Sequence, residues 1–162
     1  MLNKMKIALA GTIAAAAMFS GAAQAETATA TAEIVTAATL TNTNDLNFGA
    51  VAVSASNGSV SVAATSTGTR NCTTVICIGT TSSAADFVIG GAAGATVGLT
   101  ITDNTISLTD TVSGGSLNAT LALSTATSAV GNTEYVGGSL AVPSTAVAGT
   151  YTGTFEVTAA YQ

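Results

Sequence analysis

From Thr150 to Gln162 the chain alternates. Tyr151, Phe155, Val157, Ala159 and Tyr161 take odd positions with Gly153 among them, and Thr150, Thr152, Thr154, Glu156, Thr158 and Gln162 take even ones. A period of two places successive side chains on opposite faces of an extended backbone, so this stretch reads as a long strand with one face buried and one wet. Shorter runs of the same kind recur upstream, at Leu46 to Val53, Ser59 to Ala63, Phe87 to Ile89, Val97 to Ile101 and Ile106 to Leu108. Leu117, Ala119, Leu121 and Leu123 alternate cleanly, and Val136 to Val142 follows. Between the runs stand turn signals: Ser56-Asn57-Gly58, Gly90-Gly91, Asp103-Asn104, Ser113-Gly114-Gly115, Gly131-Asn132 and Gly137-Gly138. No window beyond the first residues carries a helical apolar stripe. The expectation is an all-β, antiparallel sandwich of the immunoglobulin-like kind, over residues 37–162.

The first residues are of another kind. Lys4 and Lys6 form a short positive region, Ile7 to Phe19 is apolar, and Ala23-Gln24-Ala25 has the small residues of a cleavage site. Residues 1–25 therefore read as a signal peptide, shorter and weaker in hydropathy than the run of about 20 apolar residues that spans a bilayer. The expected location is periplasmic in transit, then the cell surface or beyond it.

Loss of residues 1–25 removes both lysines. Arg70 then stands alone against Glu26, Glu33, Asp45, Asp86, Asp103, Asp110, Glu134 and Glu156, a net charge of −7. Phosphate backbones and anionic headgroups are recognised through cations, so neither nucleic acid nor a membrane surface is an expected partner. Histidine is absent. Without it, and without lysine, the usual general bases near neutral pH are missing and a serine has nothing to activate it. No catalytic residue, metal ligand or cofactor site is assigned. Asp103, Asn104 and Asp110 offer oxygen ligands of the type calcium takes, but Asp and Asn are ordinary turn residues and their spacing fits no calcium loop.

Cys72 and Cys77 are the only cysteines. In an oxidising compartment they are expected to form a disulfide across a tight hairpin, a local staple of about 2 kcal/mol in the chain-entropy model. Large apolar residues are few, and beyond the leader the only aromatics are Phe48, Phe87, Tyr135, Tyr151, Phe155 and Tyr161. Such a thin core gains from an added strand or from neighbours.

One segment bears on that need. In residues 26–36, Ala28, Ala30, Ala32 and Ile34 share one face, opposite Thr27, Thr29, Thr31 and Glu33. This arm is competent to form a strand in two ways. It can open the chain's own sandwich, or it can add to the edge of another molecule and propagate head to tail.

The blocks Thr39-Leu-Thr-Asn-Thr-Asn-Asp-Leu-Asn-Phe-Gly49 and Ala148-Gly-Thr-Tyr-Thr-Gly-Thr-Phe-Glu-Val-Thr-Ala-Ala-Tyr161 resemble a family of exported proteobacterial domains of unknown function. They are also similar to the spore-coat-U-like pilins of archaic chaperone–usher systems, with a looser match at Ala84-Ala85-Asp86-Phe87 and Gly90-Gly91. Chaperone–usher subunits end in an alternating strand with a penultimate aromatic and a glycine fourteen positions from the end. Here these are Tyr161 and Gly149. The resemblance implies a pilin-like sandwich and a structural subunit of a surface fimbria, with roles in adhesion or biofilm. It implies assembly by donor-strand exchange with other subunits, a periplasmic chaperone and an outer-membrane usher. Gly149, Tyr151, Phe155, Val157 and Tyr161 are then the assembly strand, and the arm is the donor. The chain departs from these pilins in its disulfide, since theirs uses a cysteine near the position of Ala38. The alternative is a self-complete secreted sandwich whose loops bind a glycan or matrix ligand.

Overall fold

A computed structural model describes residues 24–162. The expected signal peptide lies outside the described residues except for Gln24 and Ala25. The chain divides between Glu33 and Ile34 into two units, of which the second, Ile34–Gln162, holds every strand of the described residues. Of the first unit, residues 24–33 are described; they are exposed and form no strand.

The fold is all-β and antiparallel, with no helix among the described residues. Its strands are β1 (Thr39–Asn44), β2 (Ala50–Ala52), β3 (Gly58–Val62), β4 (Arg70–Thr73), β5 (Ile76–Ile78) and β6 (Ala85–Gly90). They continue with β7 (Thr96–Ile101), β8 (Thr105–Thr109), β9 (Ser116–Leu123), β10 (Thr127–Ala129), β11 (Thr133–Val142) and β12 (Val157–Tyr161). The large sheet runs β1-β6-β11-β3-β4 and adds β9 and then β8 through the other edge of β11. A second sheet is β10-β7-β12, and β2 with β5 makes a separate two-stranded ribbon.

β11 organises the large sheet. Its first half pairs with β6, from Thr133↔Val88 to Val136↔Ala85, and its second half pairs with β3, from Gly138↔Val62 to Val142↔Gly58. Along the opposite edge β9 covers Val136 to Leu140. The expected turn at Gly137-Gly138 is thus the middle of a strand. A Cβ on Gly137 would run into the Val62 carbonyl oxygen and the Ala64 amide, and one on Gly138 would lie 2.7 Å from the Thr120 oxygen. These glycines serve close backbone approach where β11 changes partner, not chain reversal.

β9 alternates as its sequence promises. Leu117, Ala119 and Leu121 are buried between exposed neighbours. The core fills in three stretches. Phe48, Val60, Val62, Leu108, Leu117 and Leu140 form one end; Ala85, Leu121 and Val136 pack with Phe87, Phe155 and Val157 in the middle; Ile89, Val97 and Leu99 close the other. The last two stretches join residues of both sheets. Phe87 and Phe155 meet edge to face with centroids 6.2 Å apart, the favoured arrangement of two rings.

The C-terminal run departs from the single long strand expected. Only Val157–Tyr161 is strand, pairing with β7 from Val157↔Ile101 to Tyr161↔Val97. Upstream, Thr152 makes an isolated bridge with Thr109 of β8. The alternation survives, but Tyr151, Phe155, Val157 and Ala159 are half-buried. One segment therefore serves first the large sheet and then the small one.

Ile89 is 1% exposed and among the largest fully buried side chains. Ile89→Ala should lower the unfolding free energy by about 2–5 kcal/mol, read by urea denaturation of the oxidised protein.

Candidate functional site

A cavity of about 640 Å³ opens at the end of the sandwich held by Phe48 and Leu140. Its floor is apolar: Leu108, Leu117, Leu140 and Val142 come from β8, β9 and β11. One wall is the segment Leu46–Val53 and the other is Ala146–Tyr151. Each wall consists largely of chain that belongs to no strand: within 46–49 only Asn47 makes a backbone bridge, and 146–151 forms no strand. The edges that continue these walls are also open. β1 pairs only with β6, and β12 pairs only with β7.

The first wall is built by local chemistry. Asn47 exchanges backbone hydrogen bonds of 2.8 and 3.0 Å with Ser83, and its side-chain oxygen accepts from the Gly49 amide at 2.7 Å. Gly49 has φ +73°, a conformation glycine adopts at little cost, and this turns the chain into β2. β2 then pairs with β5 through Ala50↔Ile78, Val51↔Cys77 and Ala52↔Ile76. The Arg70 guanidinium, reaching across from β4, donates to the carbonyls of Phe48, Ala50 and Ile78 at 3.3 Å each and to that of Gly79 at 2.5 Å.

The Cys72–Cys77 disulfide forms, with the Cα atoms 5.8 Å apart. It does not cross a hairpin as the spacing led one to expect. β4 pairs with β3 and β5 with β2, so the bond joins the large sheet to the ribbon. The turn between them holds Thr74 at φ 69° and buries Val75, which redirects the chain out of the β4 ladder.

The second wall begins with a turn in which the Ala146 amide bonds the Pro143 carbonyl, and the Ser144 amide bonds the Asn57 side chain at 2.9 Å. The Tyr151 hydroxyl donates to the Val147 carbonyl at 2.8 Å, closing the wall on itself. Gly149 has ordinary backbone dihedrals; what it provides is space, because a Cβ there would sit 2.5 Å from Asp110 Oδ2. Asp110 is 4% exposed. Its carboxylate accepts from the Ser113 amide at 2.8 Å and the Val112 amide at 3.4 Å. Hydrogen bonds from Ser113, joined by Val112 and Thr150, hold its carboxyl below the usual carboxylate range against the opposing effect of burial. Asp110 thus ties the loop after β8 to the second wall, and its oxygens are already engaged. Among the described residues no group of three acidic, histidine or cysteine side chains is placed to hold a metal.

The assembly-strand residues divide between places. Gly149 and Tyr151 line the cavity, Phe155 packs on Phe87, and Val157 lies in the small sheet. The Tyr161 hydroxyl sits at the far end, donating to the Thr36 carbonyl at 2.6 Å and accepting from the Ala92 amide at 2.7 Å. Ala28, Ala30, Ala32 and Ile34 are exposed, Ile34 97% so, and residues 24–38 form no strand. Sequence reasoning overlooked Arg70 and the role of Asp110. The one usable signal for Arg70 was that a solitary cation in so acidic a chain needs a partner.

A family model described as a domain of unknown function, DUF4402, matches residues 38–161. No curated protein and no solved structure matches the chain.

The depressed carboxyl of Asp110 fixes a pH dependence. A group whose pKa is lower folded than unfolded adds stability above its unfolded pKa, about 3.9, and this is lost as pH falls through the folded value. Asp110→Asn should lower the melting temperature at pH 7, and the gap from the parent protein should narrow as pH is taken below about 4. Calorimetric scans of both proteins across that range check it.

Proposed function

We propose, from the premise that the chain belongs to the DUF4402 family, that it is a structural subunit of a cell-surface filament in which the arm of one molecule fills the groove of the next. The observation that carries this reading is a pairing of opposites. An apolar trough is flanked by two segments largely outside any ladder, in a chain whose own residues 26–36 alternate yet form no strand. Backbone amides and carbonyls left outside a ladder favour a strand as the missing element, since edge addition satisfies them while alternate side chains fill the trough. At about 3.3 Å per residue, the 11-residue arm extends roughly 36 Å. Donor and acceptor lie on different parts of one chain, so the contact is heterologous and propagates. Export through the periplasm, a chaperone that occupies the groove in transit and an usher complete the proposed route, with the filament at the cell surface.

A small-molecule site is the competing use of a cavity this size, since ligand pockets run about 300–1,000 Å³. Glycan binding needs several convergent polar side chains. The polar side chains lining this trough are three: Tyr151, whose hydroxyl is committed to Val147, Asn47, whose oxygen is committed to the Gly49 amide, and Thr150. The chemistry favours a peptide strand.

Chains 26–162 and 37–162 should separate on this point. The longer should form concentration-dependent oligomers by light scattering and filaments by electron microscopy, and the shorter should stay monomeric. Equal monomeric, folded behaviour of both overturns polymerisation through the arm. Ile34→Ala should weaken assembly about tenfold, since burying such a side chain contributes about 1.5–3 kcal/mol and Ala retains part of it.

A further inference from the structure

The wall Leu46–Val53 depends on elements far from it in sequence. β2 and β5 contribute three residues each, and an isolated two-stranded ribbon of that length is marginal in water. Two devices attach it to the sandwich. The first is covalent. Cys72 lies opposite Val60 in the β4–β3 ladder and Cys77 opposite Val51 in the β5–β2 ladder, so the disulfide links the fully buried centre of β3 to the middle of the wall. The second is Arg70. Its guanidinium gathers the carbonyls of Phe48 and Ala50 from the wall and of Ile78 and Gly79 at the end of β5. Gly49 is part of the same device, because a side chain there would collide with the guanidinium and with the Thr81 carbonyl. A planar fork with five N–H donors can bridge four acceptors in this way; an ammonium presents three donors from one point.

We propose that the Cys72–Cys77 bond, with Arg70 as positioning residue, sets the acceptor wall, so that the groove takes a strand only in the oxidised protein. This rests on the reading of the groove as a strand acceptor. Closing the bond joins two thiols as one S–S bond, and two protons and two electrons pass to a disulfide oxidant, which leaves as its dithiol. Opening is the reverse, with a dithiol reductant ending as a disulfide. In the reduced chain the ribbon loses its covalent attachment to β4, and its short ladder and the Arg70 contacts, left to hold it alone, open more often. The wall then samples positions that do not match an incoming ladder. A subunit still in its thiol state is thereby a poor acceptor, although its arm is unchanged and remains able to donate.

The test uses chain 26–162, kept dilute, and a fluorescein-labelled peptide of residues 26–36 read by anisotropy. The oxidised protein should bind it. Reduction with dithiothreitol, or Cys72→Ala/Cys77→Ala, should weaken binding at least tenfold, and Arg70→Gln should do the same with the disulfide intact. Arg70→Lys should recover little, because charge without the fork does not gather four carbonyls. Hydrogen exchange on oxidised and reduced protein supplies a readout independent of the variants' folding: amides of 46–53 and 76–80 should exchange at least tenfold faster on reduction, with those of β9 and β11 unchanged. Equal affinity and equal exchange in the two redox states overturn the proposal while leaving the strand-acceptor reading intact. Failure of the oxidised chain to bind the peptide overturns that reading, and the redox dependence with it.

Discussion

The large sheet depends on one constraint: β11 must satisfy backbone groups along one edge with two successive partners and along the other over its middle residues. It does so by taking β6 and then β3 on one edge while β9 covers the join on the other. The switch brings three backbones together around Gly137 and Gly138, where side chains have no room. Val136, fully buried at the join, faces Ala85 and Leu123 at once, so the changeover is packed as well as paired. The rest of the large sheet hangs from this strand. β6 carries β1, β3 carries β4, and β9 carries β8.

A sandwich anchored this way is firm at its centre and open along one side. β1 and β12 each pair on a single edge, and between their extensions the chain runs through Leu46–Val53 and Ala146–Tyr151. Each of these walls is held by a polar side chain bonded to backbone. Arg70 holds the first through the carbonyls of Phe48 and Ala50 while also bonding those of Ile78 and Gly79, and Asp110 holds the second through the Thr150 backbone beside the spacer Gly149. In a chain with so few charges, a strong cation and a buried carboxylate are both spent on positioning main chain. Charge-assisted bonds of this sort are stronger than neutral ones and fix direction as well as distance.

Legibility in the sequence varied with the kind of residue. β9 was plain because Leu, Ala, Leu and Leu alternate with polar residues and its neighbours bury that one face. β1 was not read as a strand, because Thr39–Asn44 is nearly all Thr and Asn and its outer side is exposed; its register comes from pairing with β6. β4, β5 and β10 are three or four residues long, too short for a period to show. The Gly-Gly pair at 137–138 carried a turn signal and is mid-strand, since glycine marks chain reversal and close approach equally well. The groove was legible only in its last residues, Gly149 and Tyr151. Leu46 to Val53 read as a strand, and nothing local told that it would be a wall.

The amino-acid sequence alone determined the fold class, the lack of helix among the described residues and the pairing of the two cysteines, because alternation and turn chemistry act over a few residues and two lone cysteines have one possible bond. Tertiary structure decided which sheet each segment joins, why Gly137, Gly138 and Gly149 must be glycine, and that Arg70 and the disulfide converge on one wall. Those outcomes depend on distances between segments 22, 39 and 75 residues apart in the chain, as from Phe48 to Arg70, from Asp110 to Gly149 and from Val62 to Gly137. No local period carries that information; it exists once the ladders around β11 are in register.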